Sequence, residues 1–215
     1  DGEVDVTIGA GASSTTTIVG NLTIGDASAS DSAIVFDGNA QDYYIGLDDT
    51  DDDFKIGLGS AVGTTPHIVI DETGAVTKPL QPCFNVYKSG NQNNVIDGAT
   101  VLWQSERFDL GNDFGSNQFT APVTGKYYFS VHLFVENLVA GIAESGCVLR
   151  LSNFIYEGFI FDTDVFDATA GVWNYSFSTV ADMDSGDTAY VYWKTSGDAT
   201  ADIANRSYFS GFLVC

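Results

Sequence analysis

Between residues 127 and 135 every second side chain is large and apolar: Tyr127, Phe129, Val131, Leu133 and Val135 alternate with a second set that includes Tyr128, Ser130 and His132. A period of two over this length predicts a β-strand with one face in a core and the other mostly polar. The same alternation recurs where Trp173, Tyr175 and Phe177 interleave with Asn174, Ser176 and Ser178, and where Leu149 and Leu151 flank Arg150. The final segment has no hydrophilic side, since Tyr208, Phe212 and Val214 share one face and Phe209, Leu213 and Cys215 the other. It predicts a central strand, covered on one face by a sandwich and on the other by neighbouring subunits. Turn signals stand at 89–91, 144–146, 184–187 and 196–198. No window carries a sustained helical period, so the expected class is all-β.

The first 78 residues read as a different material. They hold 14 acids and two lysines and are dense in Gly, Thr, Ser and Ala, with short β-runs expected at 4–8, 17–19, 22–24, 33–36, 43–47, 54–58 and 67–70. Runs so short bury little surface alone, which predicts a β shaft of three chains intertwined about one axis. Pro79 and Pro82 restrict the entry to the strand that follows, so the expected division is 1–78 and 79–215.

The formal net charge is −21, from 29 acidic against 8 basic side chains, which argues against nucleic acid as a partner because phosphates would be repelled. No apolar run approaches the ~20 residues that span a bilayer, so no membrane insertion is expected. The one methionine is Met183; Asp1 is therefore expected to begin a processed product or the ordered end of something longer. Cys83, Cys147 and Cys215 are odd in number and suit no metal motif; buried thiols are expected. Asp48, Asp49, Asp51, Asp52 and Asp53 resemble the start of a calcium loop. Phe54 stands where such a loop needs glycine and no glutamate follows at Ser60, so a hairpin turn between 43–47 and 54–58 is expected instead. His67 and His132 lack a matching acid and nucleophile pattern. Trp103, Trp173 and Trp193 could stack on sugars, but alternation puts Trp173 and Trp193 in the core.

Phe119, Ala121-Pro122, the run Gly125-Lys126-Tyr127-Tyr128-Phe129 and the closing Phe209-Ser210-Gly211-Phe212-Leu213 occur in that order. Residues 79–215 thereby resemble the globular head of complement component 1q and its relative tumour necrosis factor. The resemblance implies a jelly-roll β-sandwich assembling as a homotrimer. It also implies antiparallel pairing of the first and last jelly-roll strands, bringing Cys83 near Cys215, and it points to Asp182, Asp184 and Asp187 as candidate calcium ligands, the one cofactor in view. No Gly-x-y stalk precedes the head. The segments GNLTIG, IVFDGNAQDYYIGLDD, FKIGLGS and IVIDETGAVTKP resemble shaft segments of tailed-bacteriophage tail fibres.

In a trimeric jelly-roll the strands serve core and subunit contacts, so recognition falls to the connections 137–146, 162–172 and 195–206. Asn137, Glu144, Thr169, Asn205 and Arg206 are the candidate receptor-binding residues, suited to a host-surface glycan or protein. The leading expectation is a viral structural adhesin: a homotrimeric phage tail fibre, extracellular on the virion, joined to other tail proteins through its N-terminal region. A complement 1q-like recognition module secreted by a cell is the alternative, for which the sequons at Asn21, Asn174 and Asn205 would matter. A tailspike polysaccharide-degrading enzyme ranks third, because no carboxylate pair stands out from the turn acids. The protein is therefore expected not to be an enzyme.

Overall fold

The computed structural model describes residues 15–165 and 168–215. They form two compact units, divided between Lys78 and Pro79. No α-helix occurs among the described residues; a 3₁₀ turn spans Thr163–Val165. None of the described helical structure is long and apolar enough to cross a membrane. The run expected at 4–8 lies outside the described residues.

The first unit is an antiparallel meander of β1 (Ser32–Phe36), β2 (Tyr43–Asp48), β3 (Asp53–Leu58), β4 (Thr65–Ile70) and β5 (Val76–Thr77), in that order across one sheet. Each strand pairs with its neighbour in the same chain, so the backbone is satisfied without the intertwining anticipated for the shaft. The runs at 17–19 and 22–24 are not strands; residues 15–30 are exposed throughout, with no strand beside them to complete a ladder. The turn at 49–52 joins β2 to β3, as the hairpin reading requires. Its acids are anchored by Lys55, buried on the sheet and bonded to Asp48 at 2.8 Å and Asp51 at 2.6 Å. Burial alone would pull the Lys55 ammonium down, but these bonds outweigh it and hold the group above its ordinary value. Tyr44, fully buried, lies over Gly57 on the same face, and its hydroxyl accepts a bond from the Gly63 amide at 3.1 Å.

The second unit is a sandwich. One sheet contains β6 (Cys83–Tyr87), β7 (Gln92–Val95), β8 (Ser105–Leu110), β11 (Gly125–Leu138), β14 (Ala170–Met183), β16 (Ala201–Ile203) and β17 (Tyr208–Leu213), in the order β7-β16-β11-β17-β6-β8, with β14 on the free side of β11. The other runs β13-β12-β15-β10-β9, from β9 (Phe114–Gly115), β10 (Gln118–Thr120), β12 (Ser145–Leu151), β13 (Ile155–Phe161) and β15 (Thr188–Thr195). The expected alternation of β11 is met: Tyr127, Phe129, Val131, Leu133 and Val135 are all buried against Cys147, Leu149, Val191 and Trp193 in one core. Phe84 is the hub of its aromatic end, with ring centroids 5.0 Å from Phe119 and 4.9 Å from Phe209.

β6 and β17 pair antiparallel as expected of the first and last strands, with Phe212 opposite Cys83. All three cysteines are free: Cys147 is buried, Cys83 half-buried and Cys215 exposed. The signal at 144–146 is not a turn, because Ser145 and Gly146 begin β12. A Cβ on Gly146 would stand 2.9 Å from the Ile160 Cα, so this glycine serves the close approach of β13.

Candidate recognition end of the sandwich

Strand direction and register gather the three connections at one end. Leu138 lies opposite Ala170, and Ser145 lies between Phe161 and Thr195. The connections are also bonded to one another. The Thr163 amide donates to Ile142 O at 2.8 Å and the Ser196 amide to Glu144 O at 3.0 Å, while Thr163 Oγ1 accepts from the Ile142 amide. The chain enters the sandwich at the other end, where Cys83 stands opposite Phe212 and Gly125 opposite Met183.

Of the five residues expected to bind a receptor, Asn137, Asn205 and Arg206 lie around the junction of β11 and β16. Asn137, in the left-handed region at φ 55°, donates to Asp202 Oδ2 at 2.7 Å. The Asn205 amide donates to Asn91 Oδ1 at 3.0 Å, and the Arg206 guanidinium lies 4.8 Å over the Phe134 ring. Glu144 is drawn instead to the second sheet, where Lys194 bridges it at 3.3 Å and Glu157 at 3.0 Å. Thr169 is exposed on the third connection.

Asn205 and Arg206 line a hollow of about 340 Å³ together with Asn85, Tyr87, Arg107 and Tyr208. Alternation along β8 does not predict Arg107 here. β8 carries a bulge against β6, so that Phe108 faces Asn85 and Glu106 faces Val86 while Arg107 is the extra residue. The bulge turns its guanidinium over the Tyr87 ring at 5.1 Å. Among the described residues the ion pairs are made by lysines, and neither Arg107 nor Arg206 is in one. Asn85 Oδ1 is buried in the same wall with no hydrogen-bond partner among the described residues. Two free guanidiniums, two phenols and a spare amide acceptor suit a group that is anionic and carries hydroxyls. The one signal for it in the sequence is scarcity: with 8 cations against 29 acids, two arginines in one wall stand out, but only once the fold has placed them.

The aspartates singled out for calcium stand at the entry end. Asp182 pairs with Lys126 at 2.6 Å. Asp187 accepts from Ser152 Oγ at 2.6 Å, Asn153 Nδ2 at 2.9 Å and the Asp184 amide, and the first of these bonds holds its carboxyl below the ordinary range. Among the described residues no three acids, histidines or cysteines gather where they could hold a metal ion. His132 is bonded to Ser176 Oγ at 2.6 Å and stacked on Tyr208. Trp193 and Trp103 are buried, and Trp173 packs against the core.

The fold is that of known proteins. The globular domain of zebrafish complement 1qA superposes with a TM-score of 0.51 at 19% identity, covering 63% of this chain and 98% of its own. Murine APRIL superposes at 0.43 and 14% identity, covering 62% and 98%. No curated protein matches the chain. The family model of the C1q domain matches residues 84–214, well over half of the sequence, and the motif residues Phe119, Tyr127, Phe129 and Phe209 all lie in the core it describes. The chain therefore belongs to the C1q domain family.

Proposed function

We propose that the protein is a non-enzymatic, homotrimeric recognition module: a viral structural adhesin whose head attaches to an anionic, hydroxyl-rich host surface such as an acidic polysaccharide. The observation that carries recognition is the hollow at the loop end, where Arg107 and Arg206 are held free of carboxylates in a chain of net charge −21. Free cations persist in such a field most usefully where an external anion replaces the missing partner. Trimerisation rests on the outward face of the sheet containing β17. Phe212 is 45% exposed and packs on Tyr128 at 5.2 Å, and Val180 is exposed beside them. The virion assignment rests on the acidic, Gly- and Thr-rich segments of residues 1–78 and their likeness to tail-fibre shafts.

The test is binding to an acidic and a neutral polysaccharide, and adsorption to host cells, by the Arg107→Gln/Arg206→Gln double variant, each with and without calcium. Losing two charge-assisted contacts at about 1.5–3 kcal/mol each should weaken acidic-glycan binding more than ten-fold and leave the neutral glycan unaffected. Unchanged binding of both would overturn the reading of the hollow. A secreted cellular module is the second reading, favoured by the exposure of Asn21, Asn174 and Asn205 in their sequons. Locating the chain on a virus particle by labelled antibody, or finding glycans on these asparagines in protein from its native source, separates the two.

A further inference from the structure

Among the described residues, the sheet of the first unit buries the middle of one face under its own chain and leaves apolar side chains of the other partly exposed. On the covered side lie Tyr44 and Lys55, both buried, with the Val62 side chain close over Gly46. On the other side an isoleucine row crosses four strands in register: Ile34 opposite Ile45, Ile45 opposite Ile56, Ile56 opposite Ile68. Leu47 opposite Phe54 forms the next row. No member of either row is charged. Ile34, Leu47 and Phe54 are 43%, 46% and 39% exposed, far from the burial such side chains take in a closed core. Above these rows the segment 23–30 overhangs the sheet and leaves an apolar groove of about 540 Å³, lined by Ile24, Ile34, Ile45, Leu47 and Phe54.

We infer that this isoleucine face is a self-association surface, covered by a second copy of this chain. Three observations select that occupant. The two rows are uncharged, with Asp49 of the β2–β3 turn the one acid lining the groove, so an apolar surface is what one copy offers another, whereas a strongly acidic chain repels an anionic membrane or nucleic acid. Area is the second: four strands spaced ~4.8 Å, each about 18 Å long, with the two-residue β5 beside them, give a face of roughly 400 Å². That is about half of the ~800 Å² per partner of a stable complex, so the face needs a further contribution. The chain supplies it, which is the third observation: Ile18, Val19 and Leu22 stand 54%, 96% and 61% exposed on the segment before the groove, an apolar arm with a matching apolar groove on the next copy. The inference concerns residues outside the C1q domain and does not depend on how the head associates.

The experiment uses the full chain with Cys83→Ser and Cys215→Ser, and compares two adjacent positions of equal exposure on opposite faces, Ile34→Cys and Val35→Cys. At a chain concentration about ten times the dissociation constant, a small maleimide should label Ile34→Cys about ten-fold more slowly than Val35→Cys. A short bis-maleimide should join Ile56→Cys, at the centre of the face, into covalently linked chains. Raising the salt should strengthen both effects, because it screens the repulsion between acidic copies and favours apolar contact. Equal labelling at the two positions overturns the inference, and so does slow labelling without interchain linkage, which would mean that the head of the same chain covers the face. Light scattering on Phe212→Asp reads the head separately: cross-linking that survives while the head dissociates supports the inference whatever becomes of the trimer proposal, and a trimeric parent that never links at Ile56→Cys refutes the inference alone.

Discussion

Lys88 is fully buried, yet it faces no carboxylate. Its ammonium donates to Leu102 O at 2.9 Å and to Gln92 Oε1 at 3.4 Å, and burial pulls its pKa down to about 8 from an ordinary value of 10.5. Between these values the unfolded chain holds a proton that the folded chain has released, so this residue makes stability rise with pH across that window. Cys147 and Tyr175, both pushed up by burial, act in the opposite sense at the alkaline end, so the quantity to compare is the difference between two proteins. We predict that wild type gains about 2 kcal/mol relative to Lys88→Met between pH 7.5 and 9.5, read from urea unfolding at both pH values. Equal pH slopes would show that Lys88 stays fully protonated in the fold. Lys88 follows β6 by one residue, and nothing in the sequence marked it as a buried cation without a counter-ion, since that depends on Gln92 and Leu102 folding over it.

At the scale of elements, the alternating strands were the legible ones, because a side chain that must enter a core leaves a period of two behind. Short, turn-like stretches were less so. Gly146 illustrates why: it closes a Glu-Ser-Gly turn signal but stands inside a strand, as Gly158 does, for reasons of space rather than backbone freedom. A Cβ on Gly158 would run into the ring of Phe177, through which β13 packs on β14. Gly158→Ala is therefore expected to destabilise the sandwich by about 1–3 kcal/mol through overpacking. Gly115→Ala, with no atom within reach of the added methyl, should stay within about 0.5 kcal/mol of wild type. Thermal unfolding of the two variants makes the comparison. Equal melting temperatures would mean that the edge strand yields freely, and that the contact between the sheets there is loose.

For the whole molecule, two exposed apolar surfaces accompany a charge of −21. A protein so charged stays apart from its copies except where apolar surface outweighs the repulsion. Wild type should scatter light as about three copies of the 22.9 kDa chain at micromolar concentration. Phe212→Asp, which sets three carboxylates into the proposed interface, should lower that mass below three chains; an unchanged trimer would place the interface elsewhere. Limited proteolysis should cut first near Lys78–Pro79, where the two compact units meet in sequence, and leave a resistant fragment beginning near Gln81. Early cutting within β11 would contradict a sandwich built around that strand.

What the sequence determined by itself was whatever is written in local periodicity and order: the all-β class, the strand β11 with its core face, the doubly apolar last strand and the family of the head, whose motif residues are its core aromatics. The alternation of apolar residues is a direct imprint of burial, and the imprint survives without coordinates. What only the tertiary structure decided was which polar groups meet. The bulge that turns Arg107 over Tyr87 puts it in one hollow with Arg206, 99 positions away, and the isoleucine row depends on the register of four strands, in which a slip of one residue would turn each side chain to the other face. Asn205 and Arg206 were recognisable as candidates from their loop, whereas Glu144 was spent on Lys194, a partner set by the pairing of β12 with β15. Contacts between residues distant in sequence carry no local signature, because they arise from the closure of the sheets rather than from the chain's own period.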